Sequence, residues 1–192
     1  MLSDKLRPII EPVTSGVGRA LARAGATPNG LTAAGLLAVV GCSGLIVAGH
    51  ARLAGVLLIP SVILDVLDGA LARATGRVSK WGGYFDSVAD RIADAALLGA
   101  IAYAAASVNS RLLAAAMGAM VLSFLVSYAR AKAEALGFSA AGGPGERPER
   151  AAVLIAGLVF NLVEAAVWVI IALALITFVV RCAAVRRQAM SS

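Results

Sequence analysis

Four aspartates stand close together in a chain with only 11 acidic residues. Asp65 and Asp68 are three apart, and Asp86 and Asp90 are four apart, within ILDVLDGALARATGRVSKWGGYFDSVADR (63–91). On a helix, either spacing puts both residues on one face. If the two pairs sit on antiparallel helices, four carboxylates converge on one small volume. Left unneutralised they repel one another, and burial raises the cost of ionising them. Divalent cations remove that cost, and an all-oxygen donor set favours Mg2+, Mn2+ or Ca2+ over zinc. Two carboxylate pairs suit two metal ions, which clamp the attacking and leaving oxygens of a displacement at phosphorus. Two other roles fit the same spacing: interfacial ion pairs with Arg73, Arg77, Lys80 and Arg91, or a cation or proton pathway.

The elements that must carry these acids are apolar. Of the 192 residues 60% are hydrophobic and only 15% are charged, and the mean hydropathy is +0.87. Soluble domains carry about a quarter of their residues as charges. The expected class is an all-α integral membrane protein with no separate soluble module. Six transmembrane helices are expected, at about 31–49, 53–73, 84–107, 111–137, 150–163 and 165–183. The weakest break is NLVE (161–164), where a tight turn is preferred to one long helix, because Asn161 and Glu164 together are costly at the bilayer centre. Of the 17 Lys and Arg, all but Arg52 and Arg111 then fall on one side of the membrane. The positive-inside rule makes that side the cytoplasm. Both termini and the four aspartates face it, in a multi-pass protein of the cell membrane.

Residues 1–26 are expected to form an interfacial amphipathic helix rather than a signal peptide. Val13, Val17 and Leu21 recur at helical spacing with Arg19 and Arg23 between them, and Pro8 and Pro12 interrupt the segment. The six-helix domain is placed at 27–187 and a short tail at 188–192. Cys42 and Cys182 lie in apolar runs and are expected to be buried, inert thiols. The single histidine, His50, is given no role.

Between the acid pairs, Gly69 and Ala72 open one face of the second helix, where a flat ligand can approach the backbone; close helix packing is the plainer use of small residues. The stretch follows Asp-x-x-Asp-Gly-x-x-Ala-Arg, eight residues, then Gly-x-x-x-Asp-x-x-x-Asp, with Asp65, Asp68, Gly69, Ala72, Arg73, Gly82, Asp86 and Asp90 in the fixed places. This resembles the signature of the CDP-alcohol phosphatidyltransferase family. The resemblance implies transfer from a CDP-linked lipid to an alcohol, with release of CMP and two metal ions, Mg2+ or alternatively Mn2+. It implies Asp65, Asp68, Asp86 and Asp90 as metal ligands, and Asp90 also as general base. It places the CDP-lipid against Gly69, Ala72, Arg73, Ser79 and Gly82. TPNGLT (27–32) is similar to an element that closes over the nucleotide in relatives, which adds Asn29 and Thr32; a plain helix cap by Asn29 explains that segment as well. Asp94, one turn beyond Asp90, suits either a supporting role or an ordinary polar helix end.

Arg130, Lys132, Arg147, Arg150 and Arg181 converge on the same side as the acids, and Arg130, Lys132, Arg150 and Arg181 are the candidates for a phosphate. Cations beside a metal site make a second anionic pocket, suited to an acceptor that carries a phosphate. Each of them serves equally as an orienting charge. SYARAKAE (127–134) and ERPER (146–150) resemble the branch of the family in actinobacteria that makes phosphatidylinositol phosphate. That likeness implies CDP-diacylglycerol as donor, myo-inositol phosphate as acceptor and a homodimeric protein. The branch usually has Lys where this chain has Arg130, and Arg where it has Lys132. Glycerol 3-phosphate is the alternative acceptor. A cation or proton transporter is disfavoured, because the outer halves of the expected spans hold almost no polar residues.

Overall fold

The computed structural model describes residues 16–17 and 20–191. Most of the expected amphipathic segment, including Val13 and Arg19, lies outside the described residues; residues 20–23 are helical. From there the described chain is all-helical: α1 Pro28–Val47, α2 Ala51–Ala74, α3 Lys80–Ala105, α4 Ser110–Ala135, α5 Arg147–Val159 and α6 Val163–Ser191. Four of these, α1, α2, α4 and α6, are long and apolar enough to cross a membrane. A helix rises 1.5 Å per residue, so α5, with 13 residues, is short for a bilayer. The sequence of α3 carries Lys80, Asp86, Asp90, Arg91 and Asp94.

The starts of these helices follow from local chemistry. Thr27, extended before α1, accepts a hydrogen bond from the Gly30 amide. That is a standard N-cap, so the cap is Thr27 rather than Asn29, which lies in the first turn. Ser79 caps α3 through the Gly82 amide, and Asn109 caps α4 through the Leu112 amide. The break at NLVE is a turn: Asn161 takes φ 59°, a left-handed conformation that Asn tolerates better than most residues. The last helix, α6, continues to Ser191. Gln188 ties it down, accepting from the Ser139 amide and donating to the Ser139 carbonyl.

The helices close into a ring. α1 packs on α2 and α3, α2 on α5, α5 on α6, α6 on α4, and α4 on α3. Among the described residues, α2 and α3 do not pack on each other, although a short loop joins them. All six helices feed one core, including Val39, Leu58, Ile101, Ala116, Leu158 and Ile170. Small side chains allow close helix approach where both core and lipid are apolar. The Ala95–Ala106 stretch is used this way, with Ala100, Ala102 and Ala105 buried inside the ring. Cys42 is buried as expected, whereas Cys182 is exposed, because it lies on the outward side of α6.

The loop before α5 is held tightly. The Gly145 amide donates to Thr177 Oγ1 of α6 at 2.8 Å, and its carbonyl accepts from Arg150 at 2.7 Å. A Cβ on Gly145 would lie 2.5 Å from the Leu173 carbonyl carbon and oxygen. Backbone cannot give way as a side chain can, so Gly145→Ala should destabilise the fold by about 1–3 kcal/mol, the usual cost of overpacking. The measurement is thermal unfolding in detergent, and an unchanged midpoint would contradict this packing.

Candidate active site

The acids meet across the interior of the ring. Asp65 of α2 and Asp86 and Asp90 of α3 each offer a carboxylate oxygen within 4.8 Å of the others. Because α2 and α3 are not packed together, the space between them is open to these side chains. Three converging hard oxygen donors suit a divalent cation of the Mg2+ or Mn2+ kind. The fourth aspartate, Asp68, is buried at 7% exposure and accepts a short hydrogen bond from the Thr32 hydroxyl of α1. It lies beside the group of three, turned toward α1.

The seven residues expected to hold the CDP-lipid line a single cavity. Asn29 and Thr32 come from α1, Gly69, Ala72 and Arg73 from α2, and Ser79 and Gly82 from the start of α3. Asp68 and Asp86 form its inner wall. Its volume is about 310 Å³, at the lower end of the roughly 300–1,000 Å³ found for small-molecule sites. Gly82 keeps it open, since a Cβ there would lie 3.1 Å from Ser79 Oγ and 3.4 Å from Asn29 Oδ1.

A second, deeper cavity of about 100 Å³ adjoins the acids on the other side. Asp65, Asp90, Asp94, Arg147 and Arg150 line its polar end, and Leu36, Leu58 and Leu154 are among the residues of its apolar end. Of the four expected phosphate-binding cations, two are deeply buried and firmly held. Arg150 donates to the Gly145 carbonyl and lies 3.1 Å from Asp94 Oδ2. Arg181 donates to the Val126 and Gly142 carbonyls and pairs with Glu146 at 3.2 Å. Arg130 is exposed and pairs with Glu134, one turn on, at 2.8 Å. It is nevertheless close enough for its charge, with that of Arg150, to act on Arg181. Lys132 is exposed on α4; two residues from Arg130, it points away from it.

The sequence placed Arg147 among the cations that converge on the site's side of the membrane but set it against no acid, and the structure puts it in the middle of them. Its Nη1 lies 2.9 Å from both Asp65 carboxylate oxygens and 2.8 Å from Asp90 Oδ1. Its Nε is 3.7 Å from Asp94 Oδ1, beyond hydrogen-bond distance, and is buried without a partner. Asp65, Asp90 and Asp94 thus surround its charge on the interior side of α5. The available signal was ERPER: Arg147 and Arg150 are three apart at the start of α5 and share the face turned to the site.

Residues 26–183 match the CDP-alcohol phosphatidyltransferase family, and the chain belongs to that family of enzymes. It is 40% identical to an archaetidylinositol phosphate synthase of Pyrococcus horikoshii, over 94% of each chain. It is 36% identical to a phosphatidylinositol phosphate synthase of Mycobacteroides abscessus, over 91% of this chain and 84% of the relative. The phosphatidylinositol phosphate synthase of Mycobacterium tuberculosis, solved with CDP-DAG bound, superposes with a TM-score of 0.82 at 30% identity, covering 91% of this chain and 94% of the other. The same enzyme has been solved with manganese and citrate, also at a TM-score of 0.82. The chain is therefore a multi-pass membrane protein of a family of phospholipid-synthesising enzymes.

The hydrogen bond from Thr32 gives a test of how α1 supports the acids. Thr32→Val would leave a buried Asp68 oxygen without its donor, at a cost of about 1–3 kcal/mol. We expect a lower unfolding midpoint in chelator, restored by Thr32→Ser. Equal midpoints for the wild type and Thr32→Val would remove this bond from the account.

Proposed function

We propose that this enzyme transfers the phosphatidyl group of CDP-diacylglycerol to a hydroxyl of myo-inositol phosphate, forming phosphatidylinositol phosphate and releasing CMP. The observation that carries this reading is the convergence of Asp65, Asp86 and Asp90 beside a cavity lined by all seven residues expected at the CDP-lipid. The relatives named above differ in the lipid they are named for but share an inositol phosphate product, which supports inositol phosphate as the acceptor here.

In this reading Asp65, Asp68, Asp86 and Asp90 hold two metal ions, Mg2+ or Mn2+. Bound there, the ions supply charge neutralisation of the diphosphate and of the oxygens entering and leaving phosphorus. Asn29, Thr32, Gly69, Ala72, Arg73, Ser79 and Gly82 seat the cytidine diphosphate in the larger cavity. Arg150 and Arg181, with Arg130 and Lys132 at the rim, take the acceptor's phosphate and aim its hydroxyl at the donor. Asp90 then accepts the hydroxyl proton. It lines the second cavity beside Asp65 and Arg147 and is largely buried, so bulk water does not compete for its proton.

The membrane arrangement belongs to the same proposal. All six helices cross, with α3 and α5 shielded on their charged sides by the ring. Both termini and the site face the cytoplasm, as the asymmetry of Lys and Arg requires. One domain over 27–187 follows an interfacial segment at 1–26, and residues 188–192 end the chain. The homodimer that the family resemblance implies would form through a face other than the buried alanines of α3.

The deciding experiment is CMP release by purified protein with a panel of acceptors: inositol phosphate, free inositol, glycerol 3-phosphate and serine. CDP-diacylglycerol and a CDP-linked archaeal ether lipid serve as alternative donors. We expect turnover only with inositol phosphate, abolished by EDTA and restored by Mg2+ or Mn2+. Preference for glycerol 3-phosphate, or full activity in excess EDTA, would overturn the reading.

Separate pockets also predict separate kinetic effects. Removing one charge-assisted contact is worth about 1.5–3 kcal/mol. Arg150→Ala and Arg181→Ala should each raise the KM for inositol phosphate by about 10- to 150-fold, with far less change for CDP-diacylglycerol. Equal weakening of both substrates in a folded variant would remove the acceptor pocket.

A further inference from the structure

One arginine nitrogen stands among the acids that would hold a cation. Arg147 Nη1 is within 2.8–2.9 Å of three oxygens belonging to Asp65 and Asp90. Both residues belong to the group whose oxygens approach within 4.8 Å of one another. The arginine comes from α5, a helix that carries none of these acids, and its backbone is fixed at the first turn by Pro148. A guanidinium seated between Asp65 and Asp90 takes up lone pairs that a divalent ion would use there, and its charge repels the ion at this distance.

We propose that Arg147 is the cluster's own counter-cation: it holds Asp65 and Asp90 together and competes directly with the metal ion for them. This rests on the metal-dependent reading of the acids. Metal loading is then an exchange, in which the guanidinium leaves Asp65 and Asp90. The second cavity, which Arg147 also lines together with Arg150, is available to receive it. Asp94 Oδ1, 3.7 Å from Nε, is the carboxylate on that side. Arg147 is thus a positioning residue, acting on the chemistry through the two aspartates it touches.

A merely structural arginine and a competing one predict opposite signs. If Arg147 only braces the aspartates, its loss weakens metal binding. If it competes, its loss tightens metal binding while weakening the metal-free fold. The experiment is Mn2+ titration of the full-length protein in detergent, with free Mn2+ counted by electron paramagnetic resonance and unfolding followed in parallel. Arg147→Gln should bind Mn2+ at least about tenfold more tightly than the wild type, the scale of one charge-assisted contact. Its unfolding midpoint should fall in EDTA and recover in Mn2+. Arg147→Lys, which keeps the charge, should stay near the wild-type affinity. Unchanged or weaker Mn2+ binding by Arg147→Gln would overturn the proposal and leave the metal reading standing. No Mn2+ binding by any of the three proteins would overturn both. Should Arg147→Gln fail to fold, Arg147→Met and Arg147→Lys carry the same comparison, the charge-free variant again expected to bind more tightly.

Discussion

Like charges held a few ångströms apart inside a membrane protein need a neutralising partner, and that need organises this molecule. The carboxylates of Asp65, Asp86 and Asp90 come from two helices that do not pack on each other. Were α2 and α3 in direct contact, their side chains would interlock and leave no volume between them. The ring solves this by placing α1 against both helices on one side. The far neighbours, α5 behind α2 and α4 behind α3, close the circuit through α6. Core side chains hold the ring together, while an opening is kept where the acids lie.

Each wall of that opening brings different chemistry. From α1 comes Thr32, whose hydroxyl binds Asp68, and Asn29, which faces Gly82 at the start of α3. The small residues Gly69, Ala72 and Gly82 leave room for a flat group against the backbone. From α5 come Arg147 and Arg150, and from α6 comes Arg181, which reaches carbonyls of α4 and of the loop before α5. Anion-binding cations and cation-binding acids thus share one enclosure. Their interpenetration, with Arg147 on Asp65 and Asp90 and Arg150 on Asp94, keeps each charge from being buried alone. A buried charge left without its partner costs several kcal/mol.

The short helix α5 owes its place to the same logic. Its 13 residues begin with Arg147 and end at the left-handed Asn161 turn, which sends the chain straight back along α6. Gly145 lets the preceding loop lie directly on the α6 backbone. That contact sets the depth at which the two arginines enter the site. A longer or looser connection would leave them at the membrane surface with the orienting charges.

The amino-acid sequence by itself determined the helical class, the breaks between helices and the pairing of acids on shared faces. Hydropathy, turn residues and helical spacing are local properties, and they survive without knowledge of neighbours. The seven residues that line one cavity lie on two short stretches singled out in the sequence, 27–32 and 63–91, each a local pattern. Only the tertiary structure decided the placing of Arg147 among the acids, the turning of Asp68 toward α1 and the exposure of Cys182. Each of these depends on which helix lies opposite, and α5 meets α2 only because the ring closes in that order. In the sequence, 82 residues separate Arg147 from Asp65. No periodicity carries information over that distance, so a basic residue near a helix start cannot be told from an orienting charge until packing sets it against an acid.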